Sequence, residues 1–378
     1  MEQERFRQRE REPKLHDYSW NEDRFVRWEE QKKLLDNAPR VRHFADIPWE
    51  QVHQAHHKIF TGAQLPDPLL KLRRSPIFTI SARLQILSPG GRSGNHRHFA
   101  EALFYILEGK GYEIHDQKRY DWEAGDLMCV PTYCIHQHFA DAHTGAYIFY
   151  VVSDFYHNMA IGADEQMELH SDFKLPAGAE TLKDPEGRLI GYRRKDSVEI
   201  RLQAFGVSEE AMKSKQAAGR PFEKPETTYD EYLQLYWQES QWRQTCPHVV
   251  KTKDLPWEDT RQGRIKYIVH PKIPTGLITF DCFMQEIPPN GWSGKSRMVG
   301  EEVLFIIDGQ GYSVLNDVRW DWGKNDLVCI PVLTTQQHFN TDPMKPAFFL
   351  SVKSRLYHFI GHGGIEHLED ASSYQKRR

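Results

Sequence analysis

The second half of this chain repeats the first at a fixed spacing, so any fold it adopts must hold two copies of one unit. Gln85 and Gln285, Gly94 and Gly294, Arg97 and Arg297, Gly109 and Gly309, Pro131 and Pro331, and His138 and His338 all differ by 200. Asp121-Trp122 and Asp321-Trp322, and Cys129 and Cys329, fall on the same offset. Asp46-Ile47-Pro48-Trp49-Glu50 returns as Asp254-Leu255-Pro256-Trp257-Glu258 at an offset of 208, because small length changes intervene. A period this long is the duplication of a whole domain, not a solenoid of short repeats.

The texture of the repeated part is β. Phe78 to Leu87, Ala102 to Leu107, Gly111 to His115, Leu127 to Val130 and Ala146 to Val152 are short apolar runs. They are separated by turn sequences at Ser88-Pro89-Gly90-Gly91, Glu108-Gly109-Lys110-Gly111 and Ala124-Gly125-Asp126, the spacing of an antiparallel sandwich or barrel. Helix is expected outside it: an amphipathic segment from about 21 to 37, a helix start at Asp46-Ile47-Pro48-Trp49-Glu50, and Thr228 to Gln244. Residues 171–226, rich in Pro, Gly and Lys, read as a linker with irregular or helical pieces. The expected layout is a helical N-terminal segment (1–60), a first unit (61–170), a linker with a helical part (171–245) and a second unit (246–378).

With 378 residues, 39% of them hydrophobic, the chain can bury two cores, and a net charge of −4 gives no reason to expect nucleic acid as a partner. Five cysteines without a C-x-x-C pair, sitting mostly in apolar runs, suit a reducing compartment and the role of small hydrophobes. The first residues are densely charged, and no run of 18 apolar residues occurs, so the expectation is a cytoplasmic protein with no membrane partner.

The two copies disagree in an informative way. His96 and His98, two apart on a strand, point to one face, and His136 from a later strand can complete a three-imidazole metal site. In the second copy these positions are Ser296, Met298 and Gln336, while the Gly, Pro and Trp framework stays. Three residues lost together share one task. His138 persists as His338 and could be structural in both copies.

Gly90 to Gly109 and Gly125 to His138, with residues 110–124 between them, resemble the two motifs of the cupins, and their recurrence makes the chain similar to a bicupin. The resemblance implies a mainly β fold of two cupin barrels (double-stranded β-helix, or jelly-roll), with helical N-terminal and linker segments. His96-Arg97-His98, Ala102-Leu103, Leu107-Glu108-Gly109 and Gly125-Asp126-Leu127 through His136-Gln137-His138 resemble more narrowly the gentisate 1,2-dioxygenase group, which includes salicylate and 1-hydroxy-2-naphthoate dioxygenases. Common cupins add a glutamate ligand after the second histidine. Here positions 102 and 103 are Ala and Leu, and Glu101 points to the opposite face if the strand continues.

The resemblance implies Fe(II) on His96, His98 and His136, a small aromatic substrate and O2 as partners, ring cleavage, and a homo-oligomer. It also implies substrate contact by Gln85 and a hydroxyl-orienting or deprotonating role for His138. Where the family carries an arginine for the substrate carboxylate, this chain has Phe104. Either Arg83, on the same strand face as Gln85, replaces it, or the substrate is a diol without a carboxylate and Phe104 packs on its ring. The other enzyme class open to a three-histidine cupin is a metal-dependent isomerase, hydrolase or decarboxylase.

Overall fold

A computed structural model describes residues 29, 33, 36–62, 75–155, 164–187, 189–202, 224–273, 275–361 and 363–374. The chain is mainly β. In the first unit a curled sheet runs in the order Asp164–Gln166, His96–His98, His136–Ala140, Ala102–His115, Ala146–Ser153, Ile80–Leu87, His56–Ile59 and Glu50–Gln51. Ala102–His115 is one continuous strand where the sequence suggested two. It pairs with Ala146–Ser153 and Leu127–Val130 along its first half and with Lys118–Glu123 and His136–Ala140 along its second. Gly109 makes the bend possible: its φ of +91° suits glycine, and a Cβ there would lie 2.2 Å from the Gly145 carbonyl oxygen.

The second unit uses the same order but breaks this long strand into Glu302–Asp308 and Gln310–Leu315, so its sheet separates into seven-stranded and five-stranded parts. The equivalent registers match closely, with His138 opposite Glu113 in one unit and His338 opposite Ser313 in the other.

Each unit lends a short arm to the other. Val41–Arg42 pairs with Leu327 and Val328 of the second unit, and Val249–Val250 pairs with Leu127 and Met128 of the first. The Arg40 carbonyl accepts from the Cys329 amide and the His248 carbonyl from the Cys129 amide, the same contact made in both directions. One hydrophobic core spans the two sheets, where Phe149 and Phe305 stack at 4.3 Å between ring centroids.

Two carboxylates fix the junction. Glu101 accepts from the Ile278 and Thr279 amides (2.9 and 2.8 Å) and the Thr279 hydroxyl (2.7 Å). Glu301 accepts from the Phe78 and Thr79 amides (2.8 and 2.7 Å) and the Thr79 hydroxyl (2.6 Å). Both glutamates are buried, so the Glu101 side chain is turned to the junction, away from the histidines.

Three expectations are corrected. The described residues 38–60 carry short strands and a 3-10 turn at Phe44–Asp46, not a helical segment, and Glu50 begins a strand after Pro48 where a helix start was expected. Lys58 explains the preference: its ammonium donates to the carbonyls of Phe44 (2.9 Å) and Ile47 (2.5 Å), holding the turn open. The helix expected over 21–37 lies outside the described residues except at Glu29, Lys33, Asp36 and Asn37. In the linker, Glu180–Lys183, Leu189–Arg193 and Glu199–Arg201 form a small antiparallel sheet, its first turn carrying Pro185 and Gly187 of the residues that had suggested irregular chain and its second closed at Arg194–Val198 without Gly or Pro. Thr228–Thr245 is helical as expected, opened by a capping box between Thr227 and Asp230.

The interior of the second unit is a closed polar network. Gln336 Nε2 donates to Glu302 (2.7 Å), as does Ser351 Oγ (2.5 Å). His338 Nε2 donates to Gln336 Oε1 (3.1 Å), while its Nδ1 accepts from Ser313 Oγ (2.8 Å), which in turn accepts from the Trp322 indole (3.0 Å). Burial first, then the nearby Lys353 ammonium, pushes the His338 pKa down to about 3.

Two outcomes follow. Removing three hydrogen bonds from buried donors with Glu301→Ala lowers unfolding free energy by roughly 3–5 kcal/mol in denaturant titrations, since each orphaned group costs about 1–3 kcal/mol; a loss under about 1 kcal/mol contradicts the clamp. His338 is neutral when folded but takes a proton below its ordinary 6.5 when unfolded. Its contribution is therefore present above that value and is lost as pH falls from 6.5 toward about 3. His338→Gln reduces the acid slope of stability by up to about 1.4 kcal/mol per pH unit in that window.

Candidate metal centre

His96 and His98 lie on one strand and His136 directly opposite His96 on the neighbouring one, so strand alternation and pairing bring the three rings together. Their centroids are 4.1 Å apart for His96 and His136, 4.9 Å for His98 and His136, and 5.4 Å for His96 and His98. All three are buried, and one ring nitrogen from each lies within 4.8 Å of the others.

Their tautomers are set by the backbone. Nδ1 of His96 lies 3.0 Å from the Gly94 carbonyl oxygen, Nδ1 of His98 2.6 Å from that of Ala100, and Nδ1 of His136 3.0 Å from that of Cys134. A carbonyl can only accept, so each Nδ1 carries a proton, and in the neutral ring Nε2 is the atom left with a lone pair. Nε2 of His136 is buried with no hydrogen-bond partner among the described residues. Burial, reinforced by His96, His98, His138 and His115, holds the His136 pKa well below its ordinary value, so this ring is a neutral donor. Three converging imidazoles suit a divalent first-row ion, and among the described residues no carboxylate joins them, since Ala102 and Leu103 follow and Glu101 faces the junction.

Beside these rings is a cavity of about 70 Å³ lined by Gln85, Arg83, Phe104, His138, Tyr150 and Asp154 together with His96 and His98. The structure thus brings all seven residues singled out in the sequence to one place, His136 being the ligand-set member behind the lining. Phe104 stacks on Tyr150 (4.8 Å, 13° between planes) and lies 4.5 Å from His138. Arg83 donates to Ser81 Oγ (3.0 Å) and Tyr150 Oη (3.2 Å), which fix its guanidinium at the cavity wall. The Gln85 side chain hydrogen-bonds His57 but its Nε2 has no partner among the described residues, whereas Gln285 donates to the Gln262 carbonyl (2.5 Å), so the repeated glutamine has different surroundings in the two units.

Glu113 was not anticipated. Its Oε2 lies 3.1 Å from both His138 Nδ1 and His115 Nε2, although the angles fall short of well-directed hydrogen bonds. Burial raises the Glu113 pKa, while the contact with His138 opposes that rise. The signal was present in the repeat offset, where Glu113 is replaced by Ser313 and the histidine partner is retained. Tyr150 became visible only through its register opposite Arg83 and Phe104. No helix among the described residues is long and apolar enough to cross a membrane.

The family model for the cupin domain matches residues 83–153. Among curated proteins, 1-hydroxy-2-naphthoate 1,2-dioxygenase of Nocardioides sp. strain KP7 is 23% identical over 282 residues, 72% of this chain and 62% of that protein. A 5-aminosalicylate 1,2-dioxygenase of Comamonas sp. is 25% identical over 128 residues (34% and 30%), and gentisate 1,2-dioxygenase 1 of Aquipseudomonas alcaligenes is 20% identical over 279 residues (72% and 70%). The chain therefore spans less than two thirds of the first two relatives. Among solved structures, a variant of the salicylate 1,2-dioxygenase of Pseudoaminobacter salicylatoxidans in complex with gentisate aligns with a TM-score of 0.53 at 15% identity, covering 87% of this chain and 86% of that one. A Bacillus subtilis oxalate decarboxylase variant aligns with a TM-score of 0.53 at 13% identity, covering 88% and 80%. At such identities these two likenesses are of fold alone. Residues 83–153 are a cupin domain, and the sequence relatives of the chain are aromatic dioxygenases named for gentisate, 5-aminosalicylate and 1-hydroxy-2-naphthoate.

Proposed function

We propose that this chain is a bicupin, Fe(II)-dependent dioxygenase that cleaves the ring of a hydroxylated aromatic with O2, at one active site built on His96, His98 and His136. The observation that carries the reading is the backbone-set tautomer of all three imidazoles beside a cavity walled by Phe104 and Tyr150. Fe(II) held by His96, His98 and His136 would supply a positive centre for the oxygens of a chelating aromatic and for O2. The relatives support the same chemistry through the substrates in their names.

The remaining roles fall to the chain itself. Phe104, braced by Tyr150, packs against the ring of the substrate. The unpaired Gln85 Nε2 donates to a substrate oxygen, which compensates its burial. His138, with Nδ1 against Glu113, offers Nε2 to take a proton from a ring hydroxyl. Arg83 stands ready for a carboxylate; a diol without one leaves that guanidinium to Ser81 and Tyr150.

The test is anaerobic purification, metal analysis and O2 uptake against salicylates, gentisate, hydroxynaphthoates, hydroquinones and catechols. Iron binding and stoichiometric uptake with one of these are expected, and His136→Gln loses both while its circular dichroism is unchanged. Turnover without O2 uptake replaces this reading with a metal-dependent hydrolase, isomerase or decarboxylase on the same histidines. For a carboxylated substrate, Arg83→Met raises KM by about 10- to 100-fold, the worth of a charge-assisted hydrogen bond, and leaves a diol substrate nearly unaffected.

A further inference from the structure

Behind the first three histidines lies a second convergence of donors. His115, Cys134 and His248 are all buried, and one donor atom from each lies within 4.8 Å of the others. His115 ends the long strand, Cys134 precedes His136 in the turn, and His248 arrives on the arm that the second unit lends to the first. The Nδ1 atoms of His115 and His248 are 2.5 Å apart. Tyr120 stacks flat on His248 (4.7 Å, 7° between planes) and fixes that ring.

The duplication supplies an independent comparison. At an offset of 200, His115 becomes Leu315 and Cys134 becomes Thr334. His248 corresponds to Arg40, because the carbonyls of both accept from the matching cysteine amides, Cys129 and Cys329. All three donors are therefore absent from the second unit together, as the first three are, while the arms, strands and turn that carry them remain. Separate packing roles give no reason for that joint absence.

We propose that His115, Cys134 and His248 form a second metal site, distinct from the first and suited to Zn(II), which pins the arm of the second unit to the first. A thiolate with two imidazoles is a zinc donor set, and three protein ligands leave the fourth position to solvent. Binding releases the thiol proton of Cys134 to water, while the proton held between the two Nδ1 atoms moves to Nε2 of its own ring, so that each imidazole stays neutral and binds through Nδ1. With Zn–N bonds of about 2.0–2.1 Å, tetrahedral geometry moves the two nitrogens apart to roughly 3.4 Å, so the rings open on loading. Coordination through His115 Nδ1 leaves its Nε2–H toward Glu113 Oε2, 3.1 Å away, an outer carboxylate of the kind that orients metal-bound histidines. The same oxygen faces His138 Nδ1, so this ion would also steady the ring at the cavity.

Metal stoichiometry and a cobalt spectrum on the full chain test the site without reference to activity. The chain loaded with Zn(II) and passed through a desalting column is expected to keep two equivalents. The variant His96→Ser, His98→Met, His136→Gln keeps one, and adding His115→Leu and Cys134→Thr leaves none; every replacement is the residue the second unit already accommodates. Loaded with Co(II), the chain shows a near-ultraviolet thiolate-to-cobalt charge-transfer band that Cys134→Thr abolishes. The first site holds no sulfur, so the band in the unmodified chain reports the second site even if a variant fails to fold. One equivalent of Zn(II) in the unmodified chain, or no cobalt–thiolate band, overturns the proposal. Neither result bears on iron and O2 uptake at His96, His98 and His136.

Discussion

Glu101 and Glu301 sit where each unit meets the other, and each spends its carboxylate on two amides and a threonine hydroxyl across the junction. A buried carboxylate is stable only when its lone pairs are met by well-placed donors. Desolvation raises the Glu301 pKa while the Thr79 and Phe78 contacts oppose it, a balance that depends on the other unit being in place. The reciprocal arms depend on the same junction, and with them the core that joins Phe149 to Phe305. Neither sheet can slip by one residue without turning a glutamate into the wrong face. Since Glu101 lies three residues after His98, the junction also fixes the end of the strand that carries two of the histidines.

That rigidity explains how backbone carbonyls can orient three imidazoles. The carbonyls of Gly94, Ala100 and Cys134 lie at the ends of short strands or in the turn between them, and small shifts there would turn the rings. Gly94 has no room for a side chain, because a Cβ would come within 2.3 Å of Gln166 Nε2 and 2.7 Å of the His53 carbonyl oxygen. The sequence constraint on this glycine is therefore a constraint on the orientation of His96.

The duplication, the strand-rich texture and the three histidines were legible because they depend on local spacing: period two along a strand and a constant offset between copies. Leu127–Val130 emerged with the expected limits. What stayed hidden depends on pairing between distant segments. Tyr150 joins the cavity because Ala146–Ser153 lies between Ile80–Leu87 and Ala102–His115, an order no local pattern specifies. The strand at Glu50–Gln51, where a helix start was expected, and the small sheet at 180–201 were misread because Pro and Gly mark turns without telling which element they connect. Cys134 and His248, more than a hundred residues apart, meet only through the exchanged arm.

The second unit shows what replaces the imidazole cluster when its ligands are gone. Ala102, small and apolar beside the histidines, corresponds to Glu302, which accepts from Gln336 and Ser351 and lies 3.6 Å from the Lys353 ammonium. Gln336, at the position of His136, joins that carboxylate to His338, so every polar atom in the chain of contacts has a protein partner. The described residues of the first unit make no such closure: among them His136 Nε2, His138 Nε2 and Gln85 Nε2 are buried without hydrogen-bond partners. Unmet polar atoms in a core cost free energy, and their concentration in one copy, with satisfaction in the other, separates a cavity prepared for ligands from an interior prepared for stability. The same sheet supports both because Glu101 and Glu301, outside either interior, hold its strands in register whichever set of side chains fills it.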